Sequence, residues 1–134
     1  MCIEYTKESG LSVQEFKALF YKMSDGTEPA KEFLNRLDKK MRAKMIRTIA
    51  VFESNGTNLR EPYSKHIEDG IFELRAQIGS DITRVMYFFV VGRRAVLTHG
   101  FIKKTDKTPL FEIERAKSYR SDYLSREENR NDRV

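Results

Sequence analysis

Two arginines stand in stretches whose residues alternate in the manner of β-strands. Arg75 lies on the polar side of a run in which every second residue is apolar, and Arg84 interrupts an otherwise apolar run. A guanidinium that is buried in a strand is unfavourable unless it meets an anionic or polar partner. That partner could be an internal carboxylate, for instance Glu73 or Asp81, or a phosphate of a bound ligand. The sequence leaves both alternatives open.

A lysine pair, Lys103 and Lys104, follows the last predicted strand. The pair is either part of an exposed loop or, with Arg75 and Arg84, part of one cationic side of a sheet. Arginine suits bidentate contact with phosphate, whereas lysine acts as a point charge. On the second alternative, the four cations would meet in one pocket and bind a phosphodiester.

Other recognised chemistry is missing from the sequence. It contains no phosphate-binding glycine loop, no G-x-S-x-G motif and no H-E-x-x-H motif. Its two histidines, His66 and His99, do not form a metal-ligand cluster. Its single cysteine, Cys2, excludes a disulfide within one chain and a cysteine-cluster zinc site. The sequence therefore predicts neither a metal nor a cofactor.

The net charge of +5 is concentrated in two blocks of the chain. Residues 31–60 and 91–120 each contain 8 basic and 3 acidic residues, which gives +5 for each block, and the remaining segments are slightly acidic. If the fold brings these blocks together, the combined surface would attract a polyanion. Two separate solvated helix faces would explain the same composition.

The apolar spacing predicts the elements that must position these side chains. Residues 16–22 alternate like a strand, and apolar residues then recur every three or four positions. Asp38 can cap a second helix, which favours a helical hairpin over one long helix, and Thr108 and Pro109 begin a final helix. The predicted elements are a strand at 16–22, helices at 28–37 and 39–54, a loop or the start of a strand at 57–70, strands at 71–78, 82–91 and 95–102, and a helix ending near 125.

This order is typical of an α+β fold with an N-terminal strand, a helical hairpin, an antiparallel sheet of about four strands and a C-terminal helix. The length of 134 residues suits one domain. We assign 1–15 to an N-terminal extension, 16–125 to the domain and 126–134 to a polar tail. The apolar run 85–91 is too short for a transmembrane helix, and the N-terminus lacks signal-peptide features, so we expect a cytoplasmic protein that binds no membrane.

Several short motifs together resemble a known family over roughly residues 16–124. The motifs are DGIFELR at 69–75, RVMY at 84–87, HGFIKKT at 99–105, Thr108-Pro109 and Ala116. In this order along the chain, they resemble the RelE/HigB-type toxins of bacterial type II toxin–antitoxin modules, and most closely the phage-derived RelE-like branch.

This resemblance implies a compact α+β ribonuclease-like fold and cleavage of mRNA, often on the ribosome. It also implies a tightly bound antitoxin, commonly a helix-turn-helix protein. The family carries arginines at the strand positions of Arg75 and Arg84, and a basic pair where this chain has Lys103 and Lys104. The resemblance thus implies that these four residues form the catalytic set.

The proton-transfer groups are harder to assign. The family often has a lysine at the place of His66, which makes His66 a candidate acid or base, although an exposed loop histidine explains it as well. Phe111 lies near a place where some relatives have a catalytic tyrosine, and a phenyl ring cannot exchange a proton. The general acid is therefore left unassigned.

The predicted helix 39–54 carries a basic face that could bind ribosomal RNA. This face is formed by Lys40, Lys44 and Arg47.

The resulting hypothesis is a metal-free cleavage in which the RNA 2′-hydroxyl attacks the adjacent phosphodiester. Arg84 is assigned to the scissile phosphate and Arg75 to orientation or charge stabilisation. Lys103 and Lys104 would contact flanking phosphates, and one of them could assist proton transfer. Two alternatives are a ParE-like toxin, which inhibits DNA gyrase without cutting RNA, and a non-catalytic module that binds nucleic acid or protein. Retention of both arginines and the lysine pair favours the nuclease.

Overall fold

A computed structural model describes residues 15–103, 105 and 107–132. The chain forms a five-stranded sheet with helices on both faces, in the strand order β1-β5-β4-β3-β2. Strand β1 is parallel to β5, and every other neighbouring pair is antiparallel. The elements of the described residues are β1 (Lys17–Phe20), α1 (Pro29–Arg36), α2 (Lys39–Asn55), β2 (Ser64–Glu68), β3 (Ile71–Ile78), β4 (Asp81–Val90), β5 (Arg94–Lys103) and α3 (Leu110–Asp132), and a 3-10 turn lies at Gly56–Asn58.

The α+β prediction is confirmed, with one strand more than expected and a mixed sheet. The additional strand, β2, lies in the segment 57–70, for which the sequence predicts a loop or the start of a strand. It pairs with β3, and its register shifts between His66 and Glu68. This short edge strand is defined by its pairing with β3, because its own residues do not alternate strongly between apolar and polar.

The helical hairpin forms as predicted because Asp38 separates the two helices. Its carboxylate accepts a hydrogen bond from the Met41 backbone N–H at 2.8 Å, which caps the start of α2. At the other end, Gly56 adopts a φ of 54° and its N–H donates to the Phe52 carbonyl, which ends α2. The capping residues thus fix both boundaries of the longer helix.

Helices α1 and α2 cover one face of the sheet, which we call the hairpin face. Its core combines Met45 and Phe52 of α2 with Leu74 and Tyr87 of the central strands, all of them fully or almost fully buried. Helix α1 lies directly on β5, because a Cβ atom added to Gly100 would stand 2.2 Å from the Phe33 ring. Only glycine permits this close approach.

Helix α3 covers the opposite face, which we call the α3 face. Its Ala116 and Tyr119 pack with Met86, Phe88 and other buried residues of the central strands. No helix within the described residues is both long and apolar enough to span a membrane.

The prediction that α3 ends near residue 125 is wrong, since the helix continues to Asp132. The side chain of Asp122 accepts hydrogen bonds from the Tyr21 hydroxyl at 2.6 Å and from Arg126 at 2.5 Å. Arg126 also donates to the backbone carbonyl of Lys22. These polar contacts hold α3 against the segment after β1 at the point where the apolar stripe of the helix ends. Most of the predicted extension 1–15 lies outside the described residues.

Candidate active site

Three of the four predicted strand cations share the α3 face of adjacent strands. Arg75 of β3 stands directly opposite Arg84 of β4, and Arg84 stands opposite Phe101 of β5. Lys103 follows two residues after Phe101, so its side chain is on the same face and diagonal to Arg84. We call Arg75, Arg84 and Lys103 the cation row. The fourth predicted residue, Lys104, lies outside the described residues.

A buried carboxylate, Glu73, stands beside both arginines. It shares the α3 face of β3 with Arg75, and its Oε1 lies 2.5 Å from the Arg75 Nε and 3.9 Å from the Arg84 Nε. Its other oxygen accepts a hydrogen bond from the Thr108 hydroxyl at 2.8 Å. Directly opposed like charges destabilise a strand pair, so Glu73 offsets the repulsion between the two guanidinium groups. Glu73 is one of the two internal carboxylates that the sequence offers as partners for these arginines.

Arg84 is completely buried, and it binds the segment between β5 and α3. Its guanidinium donates to the backbone carbonyl of Lys107 at 3.1 Å and to that of Thr105. Its charged group also lies 5.8 Å from the centre of the Phe101 ring. The sequence predicts that Arg84 contacts the scissile phosphate. In this conformation that contact would require the segment after Lys103 to move away from Arg84.

The other two members of the row are closer to solvent. The Arg75 side chain is 12% exposed, and Lys103 is half-buried at the end of β5. Lys103 also acts on Glu112 of α3: burial raises the pKa of that carboxyl, and the positive charges of Arg115 and Lys103 oppose the rise. Positive charge from β3 and β5 therefore remains at the rim of the buried Glu73–Arg84 pair.

His66 lies on the other side of the sheet. It is opposite Phe72 of β3, and its ring meets the Phe72 ring edge-on at a centroid distance of 4.9 Å. Phe72 packs against the hairpin-face core, so the structure does not bring His66 to the cation row. The neighbouring Lys65 is opposite Glu73 and therefore shares the α3 face with Arg75. Sequence reasoning missed Lys65, because its face depends on the pairing of β2 with β3.

The second histidine, His99, is buried between β5 and α3. Its Nε2 lies 2.9 Å from Glu112 Oε1, and its Nδ1 lies 3.1 Å from the Thr98 hydroxyl. Burial, together with the smaller effect of the nearby positive charge of Arg115, lowers the pKa of His99 to about 4. His99 is therefore neutral at pH 7 and holds α3 on the sheet beside the cation row. Among the described residues, no three His, Cys, Asp or Glu side chains are grouped to hold a metal ion.

The basic residues predicted on α2, namely Lys40, Lys44 and Arg47, are exposed on the helix that covers the hairpin face. Lys44 reaches the sheet, because its Nζ donates to the Gln77 carbonyl of β3 at 2.5 Å. It lines a cleft of about 630 Å³ where β3 extends beyond the start of β2. We call this the edge cleft. Its lining includes Lys44, Glu61, Tyr63, Arg75 and Gln77.

A comparison with protein families decides the broader class. Residues 32–121, about two thirds of the chain, match the family described as Phage derived protein Gp49-like (DUF891). The chain belongs to this family. The Gp49-like family is phage-derived and toxin-like, which agrees with the class expected from the motifs. The match covers the whole cation row and Glu73, whereas β1 lies outside it. A comparison with curated proteins finds no match to this chain.

Proposed function

We propose that this Gp49-like protein is the toxin of a toxin–antitoxin module and acts as a metal-independent endoribonuclease. In this proposal it cleaves mRNA on the ribosome and thereby inhibits translation. The observation that carries the proposal is the cation row, in which Arg75, Arg84 and Lys103 share one face of three adjacent strands. The toxin-like class of the family supports the same function.

The chemistry follows from what RNA itself provides. Its 2′-oxygen attacks the neighbouring phosphorus, the bond from phosphorus to the 5′-oxygen breaks, and the 2′-hydroxyl proton is in effect transferred to the departing oxygen. The products are a 2′,3′-cyclic phosphate and a 5′-hydroxyl end. Negative charge grows on the phosphate in the transition state, and fixed cations in a partly dry site stabilise that charge.

The geometry divides the row into contacting and positioning residues. Arg75 and Lys103 reach the rim, so in our proposal both contact the scissile phosphate. Arg84 is buried and acts as a positioning residue, because it holds the segment that follows Lys103. Lys104 remains a proposed contact to a flanking phosphate. The exposed basic face of α2 would bind ribosomal RNA.

The toxin proposal also includes a partner. An antitoxin, which we propose to be a helix-turn-helix protein, would bind this chain and suppress its activity. Induced expression of the chain should arrest growth, and co-expression of a neighbouring gene for such a protein should restore it.

The direct test incubates the purified protein with mRNA, with and without translating ribosomes, in the presence of EDTA. We expect cleavage that persists in EDTA and fragments that carry 5′-hydroxyl ends. Arg75→Ala should abolish cleavage, whereas Arg36→Ala, a change at an exposed arginine at the end of α1, should not. Loss of cleavage in EDTA would reject the metal-free scheme. Absence of cleavage together with inhibition of gyrase supercoiling would replace the nuclease by a gyrase inhibitor.

A further inference from the structure

The edge cleft lies immediately beside the cation row but has different chemistry. Arg75 belongs to both, since it faces Arg84 across the strand pair and also lines the cleft. A strand of RNA whose phosphate contacts Arg75 would therefore place an adjoining nucleotide at the cleft. The volume of about 630 Å³ is large enough for a nucleobase with its ribose.

An exposed aromatic residue, Tyr63, lies in this cleft. It is 47% exposed, although a ring of that size is ordinarily covered in a folded chain. Its backbone is held on both sides, because its N–H bonds the Arg60 carbonyl at 3.0 Å and its carbonyl accepts from the Arg75 N–H at 2.8 Å. The ring is thus presented on a fixed backbone next to a proposed phosphate contact. Such a preorganised aromatic is suited to stack on a base.

Three further residues of the lining supply hydrogen-bonding groups and charge. Gln77 has an exposed side-chain amide, whose nitrogen donates to the Gly79 carbonyl at 3.0 Å, and Glu61 has an exposed carboxylate. Amides and carboxylates bind the edges of bases, which carry both donors and acceptors. Lys44 adds positive charge and fixes the wall of the cleft through its bond to the Gln77 carbonyl. A stacking ring, base-edge partners and a cation are the components of a site for single-stranded nucleic acid.

We infer that the edge cleft is a nucleobase subsite, in which Tyr63 stacks on a base of the single-stranded RNA next to the scissile phosphate. This inference rests on the proposed function and extends it, because it identifies Tyr63 as a specificity-determining residue. The hydrogen-bonding groups of Gln77 and Glu61 would then bias cleavage towards particular bases. The cation row alone would bind any phosphodiester.

The test separates base binding from cleavage. A labelled, short, 2′-O-methylated single strand cannot be cut by 2′-hydroxyl attack, and an abasic strand of equal length has the same phosphates without bases. Fluorescence anisotropy gives the affinity of each strand for the wild-type chain and its variants. Wild type should bind the strand with bases roughly 5- to 150-fold more tightly, which is the usual worth of one stacked base.

Tyr63→Ala should lose most of the preference for the strand with bases, and Tyr63→Phe should keep the preference because it keeps the ring. Val91→Ala is the surface control, since Val91 is 87% exposed in the turn between β4 and β5 and does not line the cleft, and it should behave as wild type. A Tyr63→Ala variant that keeps the preference for bases would overturn the subsite and leave the nuclease proposal intact. Failure of wild type to bind either strand would instead count against RNA as the substrate, and the subsite would fall with it.

Discussion

Replacement of Glu73 by glutamine tests whether one carboxylate holds the two opposed arginines together. The change keeps the size of the side chain and removes its charge. In the native chain, Glu73 is fully buried, with its Oε1 2.5 Å from the Arg75 Nε and 3.9 Å from the Arg84 Nε. The variant would leave two guanidinium groups facing each other, and Arg84 would have no exposure to solvent. We therefore expect a large loss of stability.

The size of the loss can be worked out in two ways. At 3.9 Å and an effective dielectric constant of about 20, the attraction between Glu73 and Arg84 is about 4 kcal/mol. Removal of one partner from a buried ion pair ordinarily costs about 3–5 kcal/mol, because the other charge stays buried. The two values agree, so Glu73→Gln should lower the free energy of unfolding by about 3–5 kcal/mol.

Urea denaturation followed by circular dichroism measures this change. Glu114→Gln provides the matched control, because Glu114 is 62% exposed in its pair with Lys117 on α3, and its loss should cost at most about 1 kcal/mol. The double variant Glu73→Gln with Arg75→Gln removes one of the opposed cations and should recover part of the lost stability. A Glu73→Gln variant as stable as Glu114→Gln would refute the assigned role of Glu73.

Three further predictions concern other parts of the molecule. Burial lowers the pKa of His99 to about 4, so between pH 6.5 and 4 the unfolded chain binds a proton at this residue more readily than the folded chain does. The free energy of unfolding should therefore fall by up to about 3 kcal/mol as the pH drops through that range, and the raised pKa of Glu112 opposes this fall. His99→Gln should flatten the dependence of the urea midpoint on pH. Gly100→Ala forces a Cβ atom to 2.2 Å from the Phe33 ring and should lower the free energy of unfolding, measured by urea denaturation, by about 1–3 kcal/mol. Gly79 has a φ of 61° and a Cβ there would meet nothing within 4 Å, so Gly79→Ala measures the cost of backbone strain alone. Triple alanine substitution of Lys40, Lys44 and Arg47 should weaken ribosome binding. It should also reduce the slope of the logarithm of the binding constant against the logarithm of the salt concentration by roughly 0.7 for each phosphate that the variant no longer neutralises. An unchanged slope would exclude this face as the site of ribosome binding.

The sequence predicted elements well where local chemistry and packing agree. Strand β4 forms as its apolar run indicates, and the hairpin separates at Asp38 because a capping carboxylate stands at the break. The alternation around Arg75 also placed that residue correctly on the polar side of β3. In each of these cases, the signal lies within a few consecutive residues.

The parts that the sequence could not predict depend on pairing between distant segments. The pairing of β2 with β3 puts Lys65, and not His66, on the face of the cation row, since a shift of one residue reverses the face of every side chain. The burial of Arg84 depends on carbonyl groups of Thr105 and Lys107, beyond the end of β5. The edge cleft exists because α2, the turn before β2 and β3 meet there, and no local pattern indicates that meeting.

The central claim is that the exposed rim of the cation row binds the RNA phosphate that is cut. Lys103→Ala tests it most directly, because Lys103 is half-buried at the end of β5 and outside the buried ion pair. The measurement is the single-turnover cleavage rate of one mRNA, compared with that of Lys31→Ala, which removes a lysine that is 56% exposed on α1. Our account expects Lys103→Ala to be slower by about 100-fold or more, as for the removal of one charge that stabilises the transition state, and Lys31→Ala to match wild type. Equal rates for the two variants would contradict it.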